Sequence, residues 1–148
     1  REDGTLTFRQ GDALDLPVED DAFDAATIAY GMRNLADYAQ GFAEMARAVR
    51  PDGVVACLEI TRPTSRPGRI VSAWFDNIVP FIGRLIGQGD AYAYLARSVQ
   101  GYPGPERIAY IMREVGLEQV DWEGFAGGII VLHTGIVPAA AESAALED

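Results

Sequence analysis

With 148 residues, 49% hydrophobic and 23% charged at a mean hydropathy of +0.02, the chain has the composition of one globular domain and excludes the disordered and low-complexity classes. Twelve basic residues against 22 acidic ones leave a net charge of −10, a mean field that repels phosphate backbones, so no nucleic acid is expected as a partner. A single cysteine, Cys57, and a single histidine, His133, cannot make an intrachain disulfide or a Cys/His zinc cage, and no metal is expected. No run approaches the ~18–20 apolar residues of a membrane span and no signal sequence opens the chain, which reads as cytoplasmic.

Thr5 to Gln10 alternates, with Leu6 and Phe8 on one side, and predicts a half-exposed strand ending at Gly11-Asp12. A chain that starts at Arg1, directly before such a run, reads as the remainder of something longer. Residues 12 to 24 have loop composition, and their Asp20, Asp21 and Asp24 read as solvated acids. Asp24 to Tyr30 predicts a small-residue apolar strand. Asp37 is placed to cap a helix over Tyr38 to Arg50, whose Phe42, Met45, Ala46 and Val49 recur at i, i+3, i+4, i+7 and form a core face. Pro51-Asp52-Gly53 stops it, and the nearly continuous apolar run Val54 to Ile60 predicts a parallel strand buried on both faces. Strand, helix and strand together make a right-handed crossover unit.

Apolar residues between Arg69 and Ile86 recur near helical spacing and predict a greasy helical insert kinked at Pro80, with a further short helix over Ala91 to Val99. Gly104-Pro105 opens a helix carrying Ile108, Ile111, Met112 and Val115 on one face and closed by Gly116. Val120 and Trp122, a turn at Gly127-Gly128 and the run Ile129 to Thr134 predict a β-hairpin. Residues 138 to 148 read as a disordered tail.

Several ordered motifs are more specific than periodicity. Gly-Asp-Ala stands at 11 to 13, Leu-Pro-Val at 16 to 18, Phe23-Asp24, and Ala-Tyr-Gly-Met-Arg-Asn-Leu at 29 to 35. Glu44-Met45, Arg47, the turn Arg50 to Gly53, Glu59, Tyr94-Leu95-Ala96 and Gly-Gly-Ile-Ile-Val-Leu-His at 127 to 133 follow in order. On these residues, over about positions 5 to 137, the chain resembles the quinone-biosynthesis C-methyltransferases, which methylate demethylmenaquinone or a ubiquinone precursor with S-adenosylmethionine. The resemblance implies an α/β, partial Rossmann-like class I methyltransferase fold. Residues 1 to 137 would be its C-terminal portion, giving strands 3, 4, 5, 6 and 7 and a helical insert to a sheet ordered 3-2-1-4-5-7-6. The first and second strands of this chain would then be separated by a gap. The family's Gly-rich cofactor loop and its ribose-binding acid do not occur in these 148 residues, and the strands and helices carrying them need on the order of 60 more.

The same resemblance assigns residues. Asp12 and Ala13 match the pair that meets the adenine ring, where Asp12 read by itself is an ordinary turn residue. Ala29 stands on the cofactor side where the family usually has a serine. Arg33 and Asn34 follow a strand at the carboxyl edge where open α/β sheets bind ligands. A hydroquinone ring carbon is a poor nucleophile until its neighbouring hydroxyl loses a proton, and a fixed cation stabilises the phenolate. Arginine is too basic to remove that proton, which makes Arg33 the electrostatic stabiliser and Asn34 the group orienting a ring oxygen or water. A surface arginine and a capping asparagine are the plain alternatives. His133 is the one side chain with an ordinary pKa suited to general-base work, or a core histidine on the last strand. Glu59 is a pocket carboxylate or a solvated strand end, and Cys57 a small core residue.

Residues 62 to 113 hold seven arginines against three acids, opposing the sign of the whole chain. With Trp74, Phe75 and Phe81 this makes the 69 to 99 segment either a lid over a prenyl tail with peripheral membrane contact or an amphipathic helix packed on the sheet. The functional expectation is an S-adenosylmethionine-dependent C-methyltransferase acting on a prenylated quinone precursor, completed by a missing N-terminal half or working as a homo-oligomer. The alternatives are a non-catalytic module binding a partner subunit or prenylated lipid, and a methyltransferase for another aromatic acceptor.

Overall fold

The computed structural model describes residues 6–61, 98–99 and 101–139. The helical insert at 69 to 86, most of the 91 to 99 segment and the tail from 140 onward lie outside the described residues; Ser98 and Val99 are helical.

Among the described residues six principal elements follow in chain order: β1 (Phe23–Ala29), α1 (Tyr38–Ala48), β2 (Val49–Ile60), α2 (Pro105–Glu114), β3 (Glu118–Phe125) and β4 (Ile130–Ile136). They build one sheet ordered β1-β2-β4-β3, with β1 and β2 parallel and β4 antiparallel to both of its neighbours. The expected parallel pairing of the 24–30 and 53–60 runs is present, Ala25 to Ala29 matching Val54 to Leu58 residue by residue. The β3–β4 hairpin enters with its second strand inward, so the order reads as 4-5-7-6 of the class I methyltransferase sheet.

Local signals explain most element ends. Asp37 caps α1 by accepting the Gln40 N–H at 3.0 Å. α2 starts with Gly104 as cap and Pro105 in the first turn, where a missing N–H costs nothing, and stops at Gly116, whose φ of +93° suits glycine. Between Val49 and Val54 the β1–β2 register slips, and Asp52 sits at φ +62°. α1 therefore ends at Ala48, two residues earlier than its apolar period suggests, and Val49 already pairs with Phe23.

The core lies on one face of the sheet. Val55 and Cys57 of β2 meet Phe42 and Met45 of α1 and Ile108 and Met112 of α2, all buried, with Ala26 and Ile28 packed against them. Two expectations are corrected here. Residues 6–10 form no strand, and Leu6 and Phe8 stand 77% and 88% exposed, because strand hydrogen bonds need a neighbour and none of the described residues supplies one. β2 is not buried on both faces either. Its burial alternates, with Val54 37% exposed and Ala56, Leu58 and Ile60 half-buried, since no helix among the described residues covers that face.

Candidate functional site

The carboxyl ends of β1 and β2 turn into a compact polar knot. β1 gives way to Tyr30 in the left-handed region at φ +56°, its N–H still bonded to the Leu58 carbonyl at 2.9 Å, and a 3-10 turn follows over Met32–Asn34. A non-glycine residue held in that region is a strained choice that the neighbouring strand must enforce. Met32 is driven into the core, and its neighbour Arg33 is thereby swung over the end of β2.

There Arg33 meets Glu59. Its Nη1 lies 2.6 Å from Glu59 Oε1 and its backbone N–H donates to Oε2 at 3.2 Å, while the Ile60 N–H donates to Oε1 at 2.8 Å. Nη1 also donates to the Tyr30 carbonyl at 2.6 Å, and Nε to Ser98 Oγ at 3.3 Å. The Glu59 side chain is fully buried and that of Arg33 10% exposed. So the carboxylate is a paired, inward group rather than a solvated strand end, satisfied by three donors as a buried charge requires. Asn34 closes the turn through its N–H to the Gly31 carbonyl at 3.0 Å and is exposed.

Asp12 and Ala13 occupy a separate loop that reaches the same neighbourhood. Asp12 forms an Asx turn, Oδ1 accepting the Leu14 N–H at 2.9 Å and its carbonyl the Asp15 N–H at 3.1 Å. Gly41 of α1 marks where loop and turn converge: a Cβ there would meet Leu35 Cδ1 at 2.6 Å, Met32 Sδ at 3.6 Å and Leu14 Cδ2 at 3.8 Å. Ala29 ends β1 opposite Leu58, exposed on the sheet face away from the core.

His133 is not brought to this knot. It pairs in register with Cys57, whereas Glu59 pairs with Val131, so it sits two residues further down β4. The ring is fully buried; Nε2 lies 3.0 Å from the Pro105 carbonyl and therefore carries the proton, and Nδ1 has no hydrogen-bond partner among the described residues. Burial holds its pKa below the ordinary value, partly offset by the Pro105 bond and the nearby Glu106 charge. Cys57 is buried with its thiol pushed up to about 12, chiefly by desolvation, which suits an inert core residue. Two members of the acidic trio are ion-paired rather than merely solvated, Asp20 with Arg47 at 2.6 Å and Asp24 with Arg50 at 2.7 Å.

The model of the ubiE/COQ5 methyltransferase family matches residues 2–137. The chain belongs to this family. Its ubiE/COQ5 relatives include proteins named demethylmenaquinone methyltransferase from Halalkalibacterium halodurans, 38% identical over 87% of this chain and 54% of that protein, and from Roseiflexus castenholzii, 43% identical over 87% and 55%. The chain thus spans about half the length of the curated relatives it matches. Among solved structures, a SAM-dependent methyltransferase from Thermotoga maritima matches with a TM-score of 0.60 at 18% identity over 86% of this chain and 61% of that one. The CMeT domain of the citrinin polyketide synthase gives 0.62 at 13% over 90% and 33%. These two place the ubiE/COQ5 chain in the class I methyltransferase fold.

The sequence marked Arg33 and Glu59 separately but not their pairing, which joins residues 26 positions apart and leaves no local signal. Against the family's cofactor, S-adenosylmethionine, the fit is partial. Asp12 is exposed at a loop tip, and a carboxylate has acceptor capacity beyond the one oxygen bonded to Leu14, which suits an amino donor on an adenine edge. No glycine-rich loop for the methionine part occurs in the sequence.

Proposed function

We propose that the protein carrying this chain is an S-adenosylmethionine-dependent C-methyltransferase of a prenylated hydroquinone, with residues 1–137 as the C-terminal portion of its catalytic domain. The observation that carries the reading is the Arg33–Glu59 knot at the carboxyl edge of β1 and β2, packed beside the Asp12–Ala13 loop across Gly41. The names of its relatives support quinone precursors as the acceptor class.

The cofactor supplies the methyl group, and what remains for this chain is to hold the acceptor and its developing charge. Arg33 has five N–H donors; Nη1 and Nε are engaged by Glu59, Tyr30 and Ser98, and the remaining two sit on Nη2. That nitrogen meets the acceptor oxygen in this reading and stabilises its negative charge as the ring carbon becomes nucleophilic. Glu59 fixes the guanidinium plane, so the donor is aimed before the acceptor arrives. Asn34, exposed on the same turn, orients the second ring oxygen or a water. Asp12 and Ala13 take the adenine edge, with Ala29 on the cofactor side of the strand end. His133 is better placed to tie α2 to β4 through Pro105 than to remove the acceptor proton.

The prenyl tail and any peripheral membrane contact belong, in the same reading, to residues 69–99, of which 69–97 lie outside the described residues. Among the described residues no helix is long and apolar enough to cross a membrane. The test is to supply the complete protein with S-adenosylmethionine carrying a trideuterated methyl group and with demethylmenaquinol. Label on a ring carbon is the expected product. Label on a ring oxygen, or no transfer by the folded protein, overturns the reading, the second outcome favouring a non-catalytic lipid- or partner-binding module.

A further inference from the structure

The loop that carries Asp12 and Ala13 has little structure of its own. Apart from the Asp12–Asp15 bridge, residues 12 to 22 belong to no strand or helix, so their backbone groups need other partners. α1 supplies them. Gln40, Glu44 and Arg47 are spaced four and three apart and share one flank of that helix. Gln40 Nε2 donates to the Leu14 carbonyl at 3.2 Å, Glu44 Oε2 accepts the Leu16 N–H at 2.9 Å, and Arg47 donates to the carbonyls of Leu16 at 3.1 Å and Val18 at 2.9 Å. Alternate loop residues are thus gripped in sequence by successive turns of one helix.

The grip is itself braced. Arg47 binds Glu44 with both arms of its fork, Nε to Oε1 at 3.0 Å and Nη2 to Oε2 at 2.8 Å, and Nη1 reaches Asp20 at 2.6 Å. Glu44 is buried, and Phe42 and Met45 beside it anchor α1 in the core. Serving two carboxylates and two carbonyls at once from one planar fork is a task lysine cannot perform.

We infer that Gln40, Glu44 and Arg47 are positioning residues for the cofactor: they clamp residues 14 to 18 to α1 and thereby hold Asp12 and Ala13 at the adenine edge. The inference rests on the proposed role of Asp12 and Ala13 and adds the residues that set their conformation.

The test uses the complete protein and the variants Arg47→Met, Arg47→Lys, Gln40→Ala and Asp12→Ala. In Arg47→Met, amide hydrogen exchange at Leu16 should quicken by about tenfold or more and the Kd for S-adenosylmethionine should rise by about tenfold, whereas kcat at saturating cofactor and KM for the acceptor stay within about twofold. Arg47→Lys should recover only part of the cofactor affinity. If Arg47→Met fails to fold, Gln40→Ala removes a single contact and should show the same split at a few-fold size. Unchanged exchange at Leu16 in the folded variants overturns the clamp, and so does a parallel loss of kcat, acceptor KM and cofactor affinity. Asp12→Ala separates the two layers. Loss of cofactor affinity there but not in the clamp variants overturns the clamp alone; no loss there overturns the adenine reading and the inference with it.

Discussion

Glu59 is a charge that β2 carries into a place water does not reach, and Arg33 is what makes this tolerable. Removing the carboxylate leaves a nearly buried guanidinium short of its main partner, so Glu59→Ala should destabilise the protein by about 3 kcal/mol or more, read from the urea midpoint. Glu59→Gln, which keeps an acceptor for the Ile60 and Arg33 N–H groups, should cost less. His133 gives a pH signature of opposite origin. Folded, it is held neutral by burial; unfolded, it takes a proton near its ordinary value of 6.5. The unfolded state therefore binds more protons as pH falls below that value, and stability drops there and is insensitive to this group above it. Urea unfolding at pH 7.5 and 5.5 should show the drop, and His133→Phe should reduce it; the acid loss due to carboxylates such as Glu44 begins only below that window. Glu44 is held below its ordinary value by Arg47 and the Leu16 N–H, so its contribution fades as pH falls through the carboxylate range. The sequence offered the histidine two roles and showed nothing of its cover by α2, whose Pro105 carbonyl lies 3.0 Å from the ring.

α1 and the hairpin were readable because their signals are local: a capping aspartate, an i, i+3, i+4, i+7 face, and two glycines between alternating runs. Asp37→Ala should accordingly cost about 1 kcal/mol in thermal or urea unfolding. The 5–10 run shows the opposite case. Its alternation is real, yet a strand exists only where a neighbour accepts its ladder, and alternation carries no information about that neighbour. The β1–β2 register break is equally invisible from periodicity. Gly53 belongs to it, buried where a Cβ would stand 2.7 Å from the Asp24 carbonyl oxygen and 2.8 Å from that of Arg50. Gly53→Ala should thus destabilise by about 1–3 kcal/mol, since two of the three obstructing atoms, those other than Val49 Cγ1, are backbone and cannot rotate away.

At the scale of the molecule, the described helices cover one face of a four-stranded sheet whose order is that of a class I methyltransferase. The motifs made the family legible over nearly the whole chain, because ordered residues at turns and strand ends are what a shared site preserves. They could not say how the second face is covered or where the methionine part of the cofactor rests. Calorimetry with S-adenosylmethionine should find no saturable micromolar binding to the 148-residue chain alone, since in the proposed function Asp12 and Ala13 take only the adenine edge. In the proposed function the acceptor edge is the part this chain holds, with Arg33 at its centre. The measurement that probes it most directly compares turnover with cofactor Kd in the complete protein carrying Arg33→Ala, beside Arg33→Lys as the variant that keeps the charge. Turnover in Arg33→Ala should fall by about 100-fold or more with the cofactor Kd within about twofold, and lysine should restore it only in part. A cofactor affinity that falls in step with turnover would contradict the account and return Arg33 to a purely structural role.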